Sequence, residues 1–104
     1  MAQLINIYWR DIPSQVIAKQ GRKSAKVQLS KRFQACIDKA AMHAGHQGSD
    51  QYLDDWRREY HNCGRKLEQE AQQAAEQFEA DYSDDKLQKL VRAKGLDPEK
   101  EGSG

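Results

Sequence analysis

Long apolar runs are missing from this sequence of 104 residues, and no stretch approaches the roughly 20 residues that a membrane-spanning helix needs. Residues 1–30 also lack the basic start and the apolar stretch of a secretory signal. Cysteine is scarce, with only Cys36 and Cys63, and a chain of this length does not need a disulfide to fold. We therefore expect a cytoplasmic protein with reduced thiols.

Recognisable catalytic, cofactor-binding and metal-binding motifs are missing as well. His43 and His46 lie close together, as do His61 and Cys63, but a structural zinc site needs four converging ligands and these spacings match no established zinc motif. No glycine-rich phosphate-binding loop is present. We expect no enzymatic activity, no metal and no cofactor. An enzyme would require the fold to place His43 or His61 beside a carboxylate in a pocket.

Charge is divided unevenly along the chain, although the net charge is only +1. Residues 1–48 contain eight Lys or Arg and two acidic residues, whereas residues 49–104 contain nine Lys or Arg and fourteen acidic residues. The segment Lys19–Arg32 is the most basic, with six cations and no acid. The low net charge argues against a strongly basic nucleic-acid-binding protein, but such a segment can steer a negatively charged partner.

The amino-terminal part has the alternation typical of β-strands. Leu4–Arg10 is rich in β-branched and aromatic residues and predicts the first strand, which Pro13 separates from the next. Ser14–Gln20 and Ser24–Leu29 predict two more strands, joined by a tight turn at Gly21–Lys23. The pattern therefore predicts a three-stranded antiparallel meander with a lysine-rich outer face, which would discourage edge-to-edge pairing.

Two amphipathic helices are predicted after the strands. Ser30 is a suitable N-cap for a helix over Lys31–Ala44, since its hydroxyl can accept a hydrogen bond from a free N–H of the first turn. Gly45 is placed to end that helix. Apolar residues at helical spacing predict a second helix over Asp50–Cys63.

The carboxy-terminal part predicts two further helices. One begins near Leu67 and continues to Tyr82, and its Gln, Glu and Ala content indicates an exposed, weakly anchored helix. Ser83 predicts the N-cap of the other, whose apolar face includes Leu87. Gly95 is placed to end it.

Together these elements predict an α+β fold. A three-stranded antiparallel sheet would be packed by two amphipathic helices and followed by a looser C-terminal helical tail. Residues 1–64 would form the compact core, residues 65–96 a helical extension of the same domain, and residues 97–104 a disordered tail.

The adjacent aromatic residues Tyr8 and Trp9 must point to opposite faces of the first strand. In a sheet with one wet face they cannot both be buried unless a later helix covers one of them. We expect Phe78 or Tyr82 to provide that cover, with an exposed aromatic as the alternative.

Three parts of the chain resemble a known family: IYWRDIPSQVIA from Ile7 to Ala18, FxxxIDxAAM from Phe33 to Met42, and YLxxW from Tyr52 to Trp56. They resemble the small bacterial virulence factor family, which also resembles the N-terminal part of conserved virulence factor C. The likeness covers about residues 4–60. It implies a bacterial protein of poorly defined role, accompanying genes for folate-linked and corrinoid-linked methyl transfer, and it offers no catalytic residues.

The basic strand face is the predicted binding surface. We expect a non-enzymatic interaction or accessory module that docks an acidic protein partner. The predicted partner-binding residues are Tyr8, Trp9, Arg10, Lys19, Arg22, Lys23 and Lys26. The alternative is binding of nucleic acid, in which cations would neutralise phosphates and an aromatic ring would stack on a base.

Overall fold

The computed structural model describes residues 2–45 and 50–96, and it confirms the α+β class. The elements in chain order are β1 (Gln3–Trp9), β2 (Ile12–Gln20), β3 (Lys23–Gln28), α1 (Lys31–Ala44), α2 (Asp50–Asp54), β4 (Trp56–Asn62), α3 (Leu67–Asp81) and α4 (Asp84–Arg92). Within the described ranges, no helix is long and apolar enough to cross a membrane. The tail predicted at residues 97–104 lies outside them.

The sheet has four antiparallel strands in the order β3-β2-β1-β4. The three predicted strands are present, but the predicted count of three is wrong. Pro13, predicted to separate the first two strands, lies within β2 and pairs with Tyr8. The second predicted helix ends at Asp54, and β4 follows it along the outer side of β1. Trp56 and Tyr60 satisfy a helical spacing, yet they also alternate with Arg57 and Glu59 as a strand requires. Pairing as a strand satisfies the backbone groups of β1 that would otherwise form a free edge.

Helix α3 covers one face of the sheet. Val16 and Ala18 of β2 are fully buried on that face, and Ala71 and Ala75 of α3 belong to the same core cluster. Because these side chains are small, the helix can lie close to the strands. Helix α4 adds its apolar face to this core, packing against α1. Both helices therefore complete the core, unlike the predicted loose tail.

Helix α1 has the predicted bounds, but its start is held differently from the prediction. Ser30 is the N-cap residue, yet its hydroxyl makes no capping bond within the helix. Instead, the backbone N–H and the hydroxyl of Ser30 both donate to the carboxylate of Glu79, at 2.8 and 2.9 Å. Gly45 ends the helix with φ of 72°, as predicted. The α1 start is thus attached to α3 rather than capped locally.

The turn between β1 and β2 holds the end of α4. The backbone N–H of Arg10 donates to the carbonyl of Asp55, and its guanidinium donates to the carbonyl of Lys94 at 2.8 Å. The N–H of Asp11 donates to the carbonyl of Gly95. We call these residues, Arg10, Asp11, Asp55, Lys94 and Gly95, the hairpin clasp. The clasp joins the beginning of the chain to both later segments of the fold.

Candidate functional site

Tyr8 and Trp9, both predicted to bind a partner, lie in the interior. Trp9 is fully buried and stacks on Tyr52, to whose carbonyl its indole N–H donates at 3.0 Å. Tyr8 is 8% exposed and meets the ring of Phe78 edge-on, with centroids 5.8 Å apart. The expectation that a later helix covers the second aromatic residue is therefore confirmed. These two aromatics serve packing in the described structure, and we assign them no further role.

Arg10 also binds other residues of its own chain. Its Nε lies 3.2 Å from Oδ2 of Asp55, in addition to its bond to Lys94, and its guanidinium lies over the Trp9 ring at 5.2 Å from the centroid. Arg10 itself has a positive φ of 55°, an unusual conformation for a residue with a side chain. The run Tyr8-Trp9-Arg10-Asp11 thus builds the core and the hairpin clasp.

The other four predicted residues, Lys19, Arg22, Lys23 and Lys26, are all exposed and lie together on the β2–β3 hairpin. Within the described part of the chain they form no ion pair. Arg32, at the end of the same basic segment, instead binds Glu79 and Asp84 at 3.1 Å each. The β2–β3 hairpin therefore carries four exposed cations that no acidic side chain of the described residues neutralises.

Lys19 and Lys26 belong to a sheet face that α3 does not cover, which we call the open face. In three rows across β3, β2, β1 and β4, its side chains are Gln28, Gln15, Ile7 and Arg58, then Lys26, Ile17, Ile5 and Tyr60, then Ser24, Lys19, Gln3 and Asn62. None of these twelve side chains is acidic. The open face therefore combines an isoleucine centre, neutral amides and three cations.

The isoleucines at the centre of the open face are largely buried. Ile5 and Ile7 are 6% and 7% exposed, but neither belongs to the core cluster formed with the helices. Ile5 lies between Ile17 and Tyr60 on the flanking strands. Tyr60 is 57% exposed, which is unusual for an aromatic residue with apolar neighbours.

Arg58 and Tyr60 are surface residues that the sequence reading missed. A helix over Asp50–Cys63 places Tyr60 on a buried stripe, whereas β4 places both residues on the open face. The alternation of Trp56, Arg58 and Tyr60 against Arg57 and Glu59 was the available signal. The helical spacing of the same aromatics concealed it.

A groove of about 410 Å³ runs along the first row of the open face. Its lining residues are Ile7, Ser14, Gln15, Gln28, Gln34, Trp56, Arg57 and Arg58. Ser14 is the extra residue of a β-bulge between the Ile7–Gln15 and Tyr8–Pro13 pairs, and the bulge opens the strand beside the groove. Gln34 donates to Asp38 at 3.0 Å. The amides of Gln15 and Gln28 have no hydrogen-bond partner among residues 2–45 and 50–96.

An ionic network occupies the opposite face of β4. Arg57 donates to Asp11 at 3.1 Å and also binds Glu59, and its guanidinium lies 4.4 Å from the Tyr8 ring centroid. Burial opposes the charged form of Arg57, but its bonds to Glu59 and Asp11 outweigh this and raise the pKa. Burial, followed by the nearby Glu59, raises the pKa of the Tyr8 hydroxyl. This network fixes β4 against the β1–β2 turn.

The described residues give limited material for catalysis. His61 Nε2 lies 3.8 Å from Glu59 Oε1, so one histidine does lie beside a carboxylate. However, His61 is half exposed and Glu59 is already bound to Arg57. His43 is exposed, and no three potential metal-ligating side chains converge in the described part of the chain. Cys36 and Cys63 are free thiols, and burial raises the pKa of each.

Comparison with known proteins gives a family and no individual relative. No curated protein and no solved structure matches the chain. The family model described as Virulence factor matches residues 7–91, which extends from the middle of β1 to the last turn of α4. The match covers most of the chain and includes the β1–β2 turn, most of the open face, all of α3 and nearly all of α4. The chain therefore belongs to the Virulence factor family.

Proposed function

We propose that this protein is a non-enzymatic interaction module that binds an acidic protein partner on the open face and the adjoining β2–β3 hairpin. The observation that carries the proposal is the charge of this surface: Lys19, Lys26 and Arg58 lie on one sheet face without an acidic neighbour on it. Arg22 and Lys23 extend the positive surface at the hairpin. Such a surface accelerates encounter with a negatively charged partner.

The position of the acidic residues supports the same proposal. Helix α3 has acidic residues along its length, and α4 begins with Asp84 and Asp85. Because α3 packs on the face of Val16 and Ala18, its charges lie across the sheet from the open face. The acids of α3 are thus kept on the other side of the sheet from the positive surface, where they do not compete with a partner for it.

Affinity capture from the native cell tests this function. The bait is the full chain, compared with the variant Lys19→Glu/Lys26→Glu/Arg58→Glu. We expect the variant to lose the captured acidic protein, since each reversal converts an attraction into a repulsion. Proteins of folate-linked and corrinoid-linked methyl transfer, which the family resemblance implies, are the first partners to look for.

The matched control is Lys39→Glu/Arg65→Glu/Lys66→Glu, which makes the same change in net charge at exposed positions away from the open face. It should capture the partner as the native chain does. Equal loss from both variants would show an effect of net charge alone and contradict the proposal. Capture that survives in the open-face variant would do so too. Loss of capture after nuclease treatment would favour the alternative partner, nucleic acid.

A further inference from the structure

The open face by itself is smaller than the contact area that a globular partner needs. Four strands spaced about 4.8 Å apart give a width of roughly 14 Å, and three rows of side chains give a similar length. A stable interface between folded proteins buries about 800 Å² on each partner, which is several times this footprint. A single extended chain of about four residues would fit the same width, because each residue adds roughly 3.3 Å.

The groove in the first row has the chemistry to hold the main chain of such a segment. Gln15 and Gln28 are cross-strand neighbours, and each amide offers both a donor and an acceptor without a partner in the described structure. A peptide group presents the complementary pair, a carbonyl and an N–H. A carboxylate presents acceptors only. Two neutral amides beside Ile7 therefore match a peptide main chain better than they match a bare anion.

The cations surround this amide pair at positions that side chains of the segment could reach. Arg58 lies in the same row at the other side of the sheet, and Lys26 lies next to Gln28 on β3 with one residue between them. Carboxylates on a segment crossing the strands would meet these cations while its main chain lies over the groove. The cations would then bind the carboxylates of the ligand, and the glutamine amides would bind its main chain.

We infer that the groove binds an extended acidic peptide segment across the strands, with Gln15 and Gln28 hydrogen-bonding its main chain. This inference rests on the proposed function, because it specifies how the acidic partner is held. It assigns the charged residues to attraction and the two glutamines to recognition of the peptide group itself.

The test compares two labelled probes of equal length and charge, an oligoglutamate peptide and an oligoacrylate that carries carboxylates without peptide bonds. We expect the native chain to bind oligoglutamate roughly thirtyfold more tightly, since two net hydrogen bonds of about 1 kcal/mol each are at stake and about 1.4 kcal/mol corresponds to tenfold. The variant Gln15→Met/Gln28→Met, similar in side-chain length, should bind both probes equally. The control Gln73→Met/Gln88→Met, at exposed positions on α3 and α4, should keep the preference.

Each outcome has a separate meaning. If the charge reversals abolish binding of both probes but Gln15→Met/Gln28→Met keeps the preference for peptide, the acidic partner surface stands and the main-chain inference falls. If neither probe binds the native chain, both are contradicted. An oligothymidylate that binds more tightly than oligoglutamate would overturn the peptide and assign the face to single-stranded nucleic acid. Thermal unfolding of every variant checks that the fold is intact.

Discussion

Trp9 and Gly95 meet where the β1–β2 turn holds the end of α4, and the contact leaves no room for a side chain on Gly95. A Cβ atom built at this position would lie 2.7 Å from the Trp9 ring. Gly95 also has a φ of 87°, in the region that favours glycine. The aromatic residue in the family motif and the glycine at the end of the last helix therefore depend on each other.

We expect Gly95→Ala to lower the free energy of unfolding by about 2 kcal/mol or more, from left-handed strain and the clash with Trp9 together. Gly45→Ala is the matched control, since Gly45 also follows a helix with positive φ but has open space around its Cα. That control should lose only about 1 kcal/mol. Urea unfolding of both variants measures the difference. Equal losses would show that the Trp9 contact does not constrain Gly95.

Glu79 is the second residue on which the assembly of the helices depends. Burial alone would raise the pKa of this carboxyl, but hydrogen bonds from Ser30 and the Arg32 guanidinium outweigh it and lower the pKa below the ordinary 4.5. A lowered pKa in the folded state means that the carboxylate stabilises the fold above about pH 4.5. That contribution is lost as the pH falls through the folded-state pKa.

Glu79→Gln should therefore destabilise the fold at neutral pH by roughly 0.5–1 kcal/mol and make little difference in acid, once the native carboxyl is protonated. Unfolding free energies measured from neutral to acidic pH give the comparison. Glu76→Gln, at an exposed position on the same helix, is the control and should be close to neutral. A Glu79→Gln penalty that stayed constant with pH would contradict the role of the charge.

At the scale of the element, the sequence predicts the strands and helices whose hydrophobic pattern fits only one type of secondary structure. The first three strands, α1 and the N-cap of α4 all follow from local rules, and the Ser83 hydroxyl accepts from the Lys86 N–H as expected. β4 does not follow from local rules, because the spacing of its aromatic residues fits both a helix and a strand. Its pairing with β1 also depends on residues about fifty positions away. The packing of α3 was also hidden, since small alanines give a weak hydrophobic pattern while allowing close approach.

The role of α3 as a cover for the sheet predicts an effect of size at its buried positions. Ala71 is fully buried, so Ala71→Leu would force extra methylene groups between the helix and the strands. We expect a loss of about 1–3 kcal/mol in unfolding free energy. Gln73→Leu, at an exposed position on the same helix, should be nearly neutral. If α3 were only loosely attached, both leucine variants would have the same free energy of unfolding as the native chain.

At the scale of the whole molecule, the candidate site was predictable in part. The cations Lys19, Arg22, Lys23 and Lys26 follow directly from the charge of the segment that contains them. Arg58 and Tyr60 could not be added, because β4 had first to be recognised as a strand and registered against β1. The glutamine pair required the register of β2 against β3. The composition therefore predicts the sign of the charge on the surface, whereas only the fold shows which residues lie together on it.

Within the region that the family model matches, the Tyr8-Trp9-Arg10-Asp11 run and the open-face cations have different roles. The Tyr8-Trp9-Arg10-Asp11 run maintains the core and the clasp, so its presence in the matched region is explained by folding. The cations of the open face make no comparable contact, since none of them forms an ion pair within the described residues. The binding function proposed here consequently resides in residues outside the most recognisable motif.

The most direct test of the central claim is a calorimetric titration of oligoglutamate into the native chain, the open-face variant Lys19→Glu/Lys26→Glu/Arg58→Glu and the control Lys39→Glu/Arg65→Glu/Lys66→Glu. The account predicts binding to the native chain and the control that weakens with added salt, and none to the open-face variant. Undiminished binding to the open-face variant would contradict it.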